Sequence, residues 1–175
     1  VGSEMCIRDR NGCSCGKLHG YPFLISQNAI EPQFAITMKI IIAGAGAVGT
    51  HLAKLLSREK QDIILMDDDE EKLSTLSSNF DLMTVTASPS SISGLKEVGI
   101  KEADLFIAVT PDESRNMTAC MLATNLGAEK TVARIDNYEY LLPKNKEFFQ
   151  KLGVDSLIYP EMLAAKEIVS SMRMS

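Results

Sequence analysis

The sequence predicts an α/β fold: a doubly wound, Rossmann-like parallel sheet with helices on both faces, followed by a terminal helix that reaches beyond it. Three observations predict it. Short apolar runs rich in β-branched residues recur along the chain, separated by stretches with helical spacing. The first of these runs ends in a glycine-rich hexapeptide that opens a helical stretch. The second ends in an aspartate.

The elements follow in order. Lys39–Ala43 (KIIIA) has the β-branched run of a buried parallel strand. Helical spacing then places Val48, Leu52, Leu55 and Leu56 on one face. Ile63–Met66 is a second strand, and the acidic run Asp67–Glu71 opens a helix anchored by Leu73 and Leu76. Met83–Ala87 reads as a third strand, Ser88–Ser93 as turn-rich and Ile92–Val98 as a short helix. Leu105–Val109 (LFIAV) is the fourth strand. The helix after it, Asn116–Leu126, carries Met117, Cys120, Met121 and Thr124 as a stripe, and Gly127 serves as its C-cap. Thr131–Ile135 is a fifth strand, Tyr138–Leu142 a short helix, Ser156–Tyr159 a sixth strand and Met162–Met172 a terminal helix.

Composition narrows the function classes. The chain has 175 residues, 45% of them apolar, enough to bury a core without disulfide staples. A formal net charge of -5 gives no support to a nucleic-acid binder. No apolar run reaches the roughly 18 residues of a membrane span, so work at a membrane would run through a partner. Residues 38–160 read as one domain and 161–175 as a helix beyond it, which the family resemblance given below makes a crossover or dimerisation helix. The leader, 1–37, holds no sustained period and is expected to be non-native or disordered, with Met38 as the natural start. Cys13, Cys15 and His19 within it are too tightly spaced, and short of a fourth ligand, for a zinc site. They read as free groups, and the cysteines give no disulfide framework, which fits a reducing compartment.

The chemistry concentrates at Gly44-Ala45-Gly46-Ala47-Val48-Gly49, a GxGxxG motif between a strand and a helix. Gly44 permits the tight turn, Gly46 lets the backbone approach a pyrophosphate, and Gly49 lets the helix pack closely. Amides at the helix start then face the phosphates. Asp67 closes the second strand 18 residues after Gly49, where its carboxylate can accept both hydroxyls of an adenosine ribose. With Asp68 and Asp69 beside it, a 2′-phosphate is disfavoured and NAD(H) or an unphosphorylated adenine nucleotide is favoured. Asp68, Asp69, Glu70 and Glu71 read as helix-start charges, and His51 as a surface or packing residue. Thr110 and Pro111 follow the fourth strand on the nucleotide edge, with Thr110 as a cofactor contact. Arg134, at the end of the fifth strand, meets phosphate or a second ribose, or else forms a salt bridge.

A reaction is harder to find. Tyr140 and Lys144 are four apart, but Leu142 and Pro143 interrupt the helix that would align them. No nucleophile elbow, Walker lysine or HExxH motif is present. A cofactor site without catalytic residues acts most simply as a sensor, not an enzyme. The alternatives are a small NAD-dependent oxidoreductase, which needs an acid or base near the nicotinamide end, and a redox-sensing module that binds NADH without a transporter.

Three blocks carry a resemblance: MKIIIAGAGAVGTHLAKLLSREKQDIILMDDDEEKL, ADLFIAVTPDESRNMTACMLATNLGAEKTVARIDNYEY and FFQKLGVDSLIYPEMLAAKEI. In this order they resemble the N-terminal nucleotide-binding domain of TrkA-type potassium uptake regulators, the RCK/KTN family. The resemblance implies a cytoplasmic regulatory subunit, peripheral at the inner face of the cell membrane through a potassium-transporting partner. It also implies a homodimer or a ring, and NAD, NADH, ATP or ADP as the ligand. Gly44–Val48 would hold the phosphates, Asp67 the ribose, Thr110 and Pro111 would line the nucleotide, and Arg134 would contact its polar groups. The stripe Met162, Ala165, Ile168, Val169 and Met172 would pack on a partner subunit. Ala87-Ser88 replaces the family's glycine followed by Asp, Asn or His, and Asp136 stands where a second arginine is common. The family's C-terminal small-ligand domain has no counterpart, so the chain is expected to be part of a longer protein.

Overall fold

Lys39–Ala43 forms β1, the middle of the sheet, hydrogen-bonded to β2 (Asp62–Asp67) on one side and β4 (Leu105–Ala108) on the other. A strand flanked on both edges and covered on both faces must be apolar throughout, hence the unbroken Ile40-Ile41-Ile42. The computed structural model describes residues 37–79, 82–160 and Met172. Beyond β2 lies β3 (Met83–Thr86), and beyond β4 lie β5 (Lys130–Arg134) and β6 (Ser156–Ile158). All pairings are parallel, in the order β3-β2-β1-β4-β5-β6. This is the doubly wound order, with its reversal between β1 and β4.

The period of two along the strands divides the core into two layers. Ile40, Ile42, Ile63, Leu65, Ile107 and Val109 face α1 (Ala47–Arg58) and α2 (Glu70–Asn79). Ile41, Ala43, Ile64, Met66, Phe106, Ala108 and Ala133 face the other layer, with α3 (Ile92–Glu97), α4 (Glu113–Leu126) and residues of α5 (Pro143–Lys151). The predicted α/β class is the one found.

Three expectations need correction. On α1 the buried line runs through Gly49 and Ala53 with Leu52 and Leu56 beside it, while Val48 and Leu55 are 39% and 45% exposed. Small residues bring the helix axis close to the sheet, and the line of contact rotates toward them. α4 starts at Glu113, not Asn116, because Asp112 caps it: Oδ1 accepts from Ser114 N (2.9 Å) and Arg115 N (3.2 Å). Its buried residues are Asn116, Met117, Ala119, Cys120 and Ala123, with Met121 and Thr124 only half-buried. Tyr138–Leu141 is a 3-10 turn, and the helix after it, α5, was not predicted; Pro143 occupies its first turn, where the missing N–H costs nothing. Gly127 does cap α4, with φ of 114° and its N–H bonded to Ala123 O and Thr124 O. The remaining boundaries shift by a residue or so. The leader with Cys13, Cys15 and His19 lies outside the described residues, as does the terminal helix apart from Met172.

Candidate functional site

The loop after β1 is shaped by three glycines with different duties. Gly44 has φ of +115°, and a Cβ there would sit 2.9 Å from Thr110 N. A Cβ on Gly49 would lie 1.8 Å from Gly44 O, so that position sets how closely α1 approaches the strand end. At Gly46 a Cβ would meet nothing within 4 Å. That space is therefore not needed by the fold. Gly46 is the N-cap of α1 in an extended conformation, offers no side-chain cap, and is followed by a first turn without acidic residues. The opening amides of α1, at exposed Ala47 and Val48, are thus left to an outside acceptor where the helix dipole favours an anion.

Asp67 borders this cradle. Its Oδ2 accepts from Ala45 N at 2.6 Å and its Oδ1 from Asp69 N at 3.0 Å. The carboxylate therefore pins the glycine loop to the end of β2, and each oxygen keeps acceptor capacity for a further donor. The acidic run divides from here. Asp68 Oδ2 takes a bond from Arg115 Nη2 at 2.5 Å, and the guanidinium holds its carboxyl below the usual range. Asp69 is held below that range by Lys72, whose Nζ lies 2.9 Å away. Asp69 Oδ1 also accepts from Lys72 N at 3.2 Å. Glu70 and Glu71 are exposed.

The far wall is built around Asn116. Its Oδ1 accepts from Thr110 N (2.9 Å) and Thr110 Oγ1 (2.7 Å), and its Nδ2 donates to Thr110 O (2.9 Å) and Arg134 O (3.0 Å). One buried amide joins the ends of β4 and β5. Thr110 accordingly turns its hydroxyl inward, to Asn116 Oδ1 and Asp112 O. Glu113 Oε2 accepts from Asp136 N (2.7 Å) and Asn137 N (2.8 Å), fixing the loop after β5. Pro111 is exposed on this edge. Arg134 Nη2 reaches Asp136 Oδ1 at 3.3 Å, which realises its ion-pair reading. Its Nε is buried without a hydrogen-bond partner among the described residues. Sequence reasoning missed Glu113, Arg115 and Asn116. Reading Asp112 as an N-cap would have placed all three in the first turn of α4, at the sheet edge.

Two hollows flank the cradle. One, of about 400 Å³, is lined by Ala45, Asp69, Lys72 and Leu76 on the β2 side. The other, about 420 Å³ and mostly apolar, is lined by Val48, His51, Leu52, Val109, Arg134 and Ile158 toward β4, β5 and β6. Both open at the C-terminal edge of the sheet, around the reversal of strand order. A doubly wound parallel sheet with a glycine cradle at this point and an acid closing β2 defines a Rossmann-like nucleotide-binding domain.

The chain belongs to the TrkA-N domain family, whose pattern matches residues 40–160. It is 46% identical over 133 residues to the Trk system potassium uptake protein TrkA of Haemophilus influenzae, covering 75% of this chain and 29% of that one. The chain thus spans less than a third of that relative. Among solved structures, the TrkA-N domain of the inner membrane protein ybaL from Escherichia coli superposes with a TM-score of 0.65 at 14% identity. That match covers 77% of this chain and 96% of the other. The GsuK channel bound to NAD matches with a TM-score of 0.58 at 16% identity, over 70% of this chain and 21% of that one. At such identities the likeness is one of fold. Among the described residues no helix is long and apolar enough to cross a membrane.

Proposed function

We propose that this chain is the nucleotide-sensing regulatory module of a potassium-uptake system, binding NAD(H) in the cytoplasm to gate a potassium-transporting membrane partner. The observation that carries this reading is the open cradle at Gly46, uncapped and free of acids, beside the carboxylate of Asp67. In it a pyrophosphate would take the first amides of α1, while Asp67 accepts the ribose hydroxyls without releasing Ala45. The apolar hollow on the other flank has room for a second nucleoside, and there the unpartnered Nε of Arg134 would gain an acceptor. An adenine mononucleotide fills only the Asp67 side, which is why NAD(H) is preferred to ATP or ADP. GsuK has been solved with NAD and with ADP, and the C-terminal domain of a Kef protein from Shewanella denitrificans with AMP, so the fold accommodates such ligands in those proteins.

Binding, not catalysis, is the role that fits. His51 lines the apolar hollow, and among the described residues no second acid or base is hydrogen-bonded to its ring. A ligand that favours one arrangement of the β1–β4 crevice shifts the population toward it, with couplings of about 1–3 kcal/mol typical of such devices. Family likeness favours delivery of that bias through a homodimer or a larger ring, with the segment 161–175 as the subunit crossover.

Calorimetric titration of the chain with NAD, NADH, ATP and ADP tests the reading. Submillimolar binding is expected, and D67A should weaken it about tenfold or more, the worth of a charge-assisted hydrogen bond, while the far-UV spectrum is kept. A folded protein that binds none of the four, or a D67A protein that binds as the parent does, overturns it.

A further inference from the structure

The guanidinium of Arg115 joins three segments of the sheet edge. It projects from the first turn of α4 and, through the single nitrogen Nη2, donates to Asp68 Oδ2 beyond β2 and to Ser88 Oγ (3.1 Å) beyond β3. Its Nε and Nη1 take no partner among the described residues, and the side chain is 26% exposed. An arginine placed only to bridge Asp68 would gain more from a two-pronged pair, in which both carboxylate oxygens are met. Here one nitrogen does the anchoring, and the rest of the planar group stays available.

Position gives that plane a use. Asp68 directly follows Asp67, and Ser88 lies two residues past Thr86, the strand partner of Asp67. A ribose held by Asp67 through its 2′ and 3′ hydroxyls, with its 5′ phosphate over Gly46, carries its base on C1′, across the ring oxygen from the carbon that bears C5′. The base therefore leaves from the end of the sugar further from the cradle. That way leads to the ends of β2 and β3. Asp68 neutralises Arg115, so the pair makes a poor second phosphate site, whereas a guanidinium face remains a good surface for an aromatic ring.

Building on the nucleotide-binding reading above, we propose that Arg115 is the base-recognition residue of this site, its guanidinium plane set by Asp68 and Ser88 to stack on the purine. Asp68 and Ser88 are orienting groups only. Removing the stack therefore weakens every adenine ligand alike, whereas removing Asp68 leaves the plane in place on Ser88.

The test is calorimetric, with ADP and NADH as probes, on the parent chain and on R115A and D68A. R115A is expected to weaken both ligands by about tenfold, as for a partly desolvated cation–ring contact. D68A should weaken them by no more than about threefold, and both variants should keep the parent's melting temperature within a few degrees. The proposal fails if R115A binds both ligands as the parent does, or if R115A and D68A lose affinity equally. The second result would mean that the ion pair as a structural tie, not the guanidinium face, is what counts. A parent chain that binds neither probe removes the nucleotide reading itself, a failure distinguishable from that of Arg115.

Discussion

Gly46 and Gly49 stand three residues apart in one loop and would answer the same substitution in opposite ways. A methyl at Gly46 meets no protein atom, and its φ of −73° suits alanine, so G46A should keep stability within about 0.5 kcal/mol. At Gly49 the methyl would collide with Gly44 O, so G49A should cost about 1–3 kcal/mol or more as α1 is pushed outward. Urea midpoints of the two variants check this, and equal losses would contradict the division of labour among the glycines. Cys120 is a second case settled by environment. Burial pushes its thiol up to about 12, so alkylation mapped to Cys120 should not proceed at pH 8 until the chain is unfolded. The sign follows by linkage. The native thiol keeps its proton after the unfolded one loses it, so this group's contribution is constant below about pH 9 and falls as pH rises toward 12. The tight turn at Gly44 and the close packing at Gly49 were readable from the motif's spacing. Asn116 was not, since an asparagine in a helix carries no periodic signal, and only the fold brings Thr110 and Arg134 to it.

At the scale of elements, short apolar and β-branched runs located the six strands of the described residues, most clearly the central ones, since a strand covered on both faces has little compositional freedom. Helix starts were harder. α4 opened three residues early because one carboxylate, Asp112, fixes its N-terminus, and D112A should cost about 1 kcal/mol and fray the turn that carries Glu113 and Arg115. A thermal melt checks the cost, and an unchanged midpoint would mean that packing alone holds this turn. α5 escaped notice because Leu142-Pro143 reads as a break, whereas proline in a first turn is a beginning. Its neighbours Tyr140 and Phe149, with ring centroids 4.7 Å apart, tie the 3-10 turn to the helix across that proline. The face of α1 was misjudged for a related reason: small residues at Gly49 and Ala53 can own the contact line that leucines were expected to hold.

At the scale of the whole sheet, the reversal of strand order between β1 and β4 sets the geometry that the proposed function uses. It separates the paths leaving the two strand ends and opens a crevice, with the amides of α1 at its centre and a hollow on each flank. Asp67 ties one flank to the glycine loop, and Asn116 ties β4 to β5 behind the other, so a ligand spanning the crevice touches both halves of the sheet. Under the proposed function only a dinucleotide fills both hollows, so the most direct measurement compares NADH with AMP. Titrated into the same folded chain, NADH should bind at least about tenfold more tightly than AMP, the worth of about 1.4 kcal/mol from the second flank. AMP binding as tightly as NADH, or neither ligand binding, would contradict it.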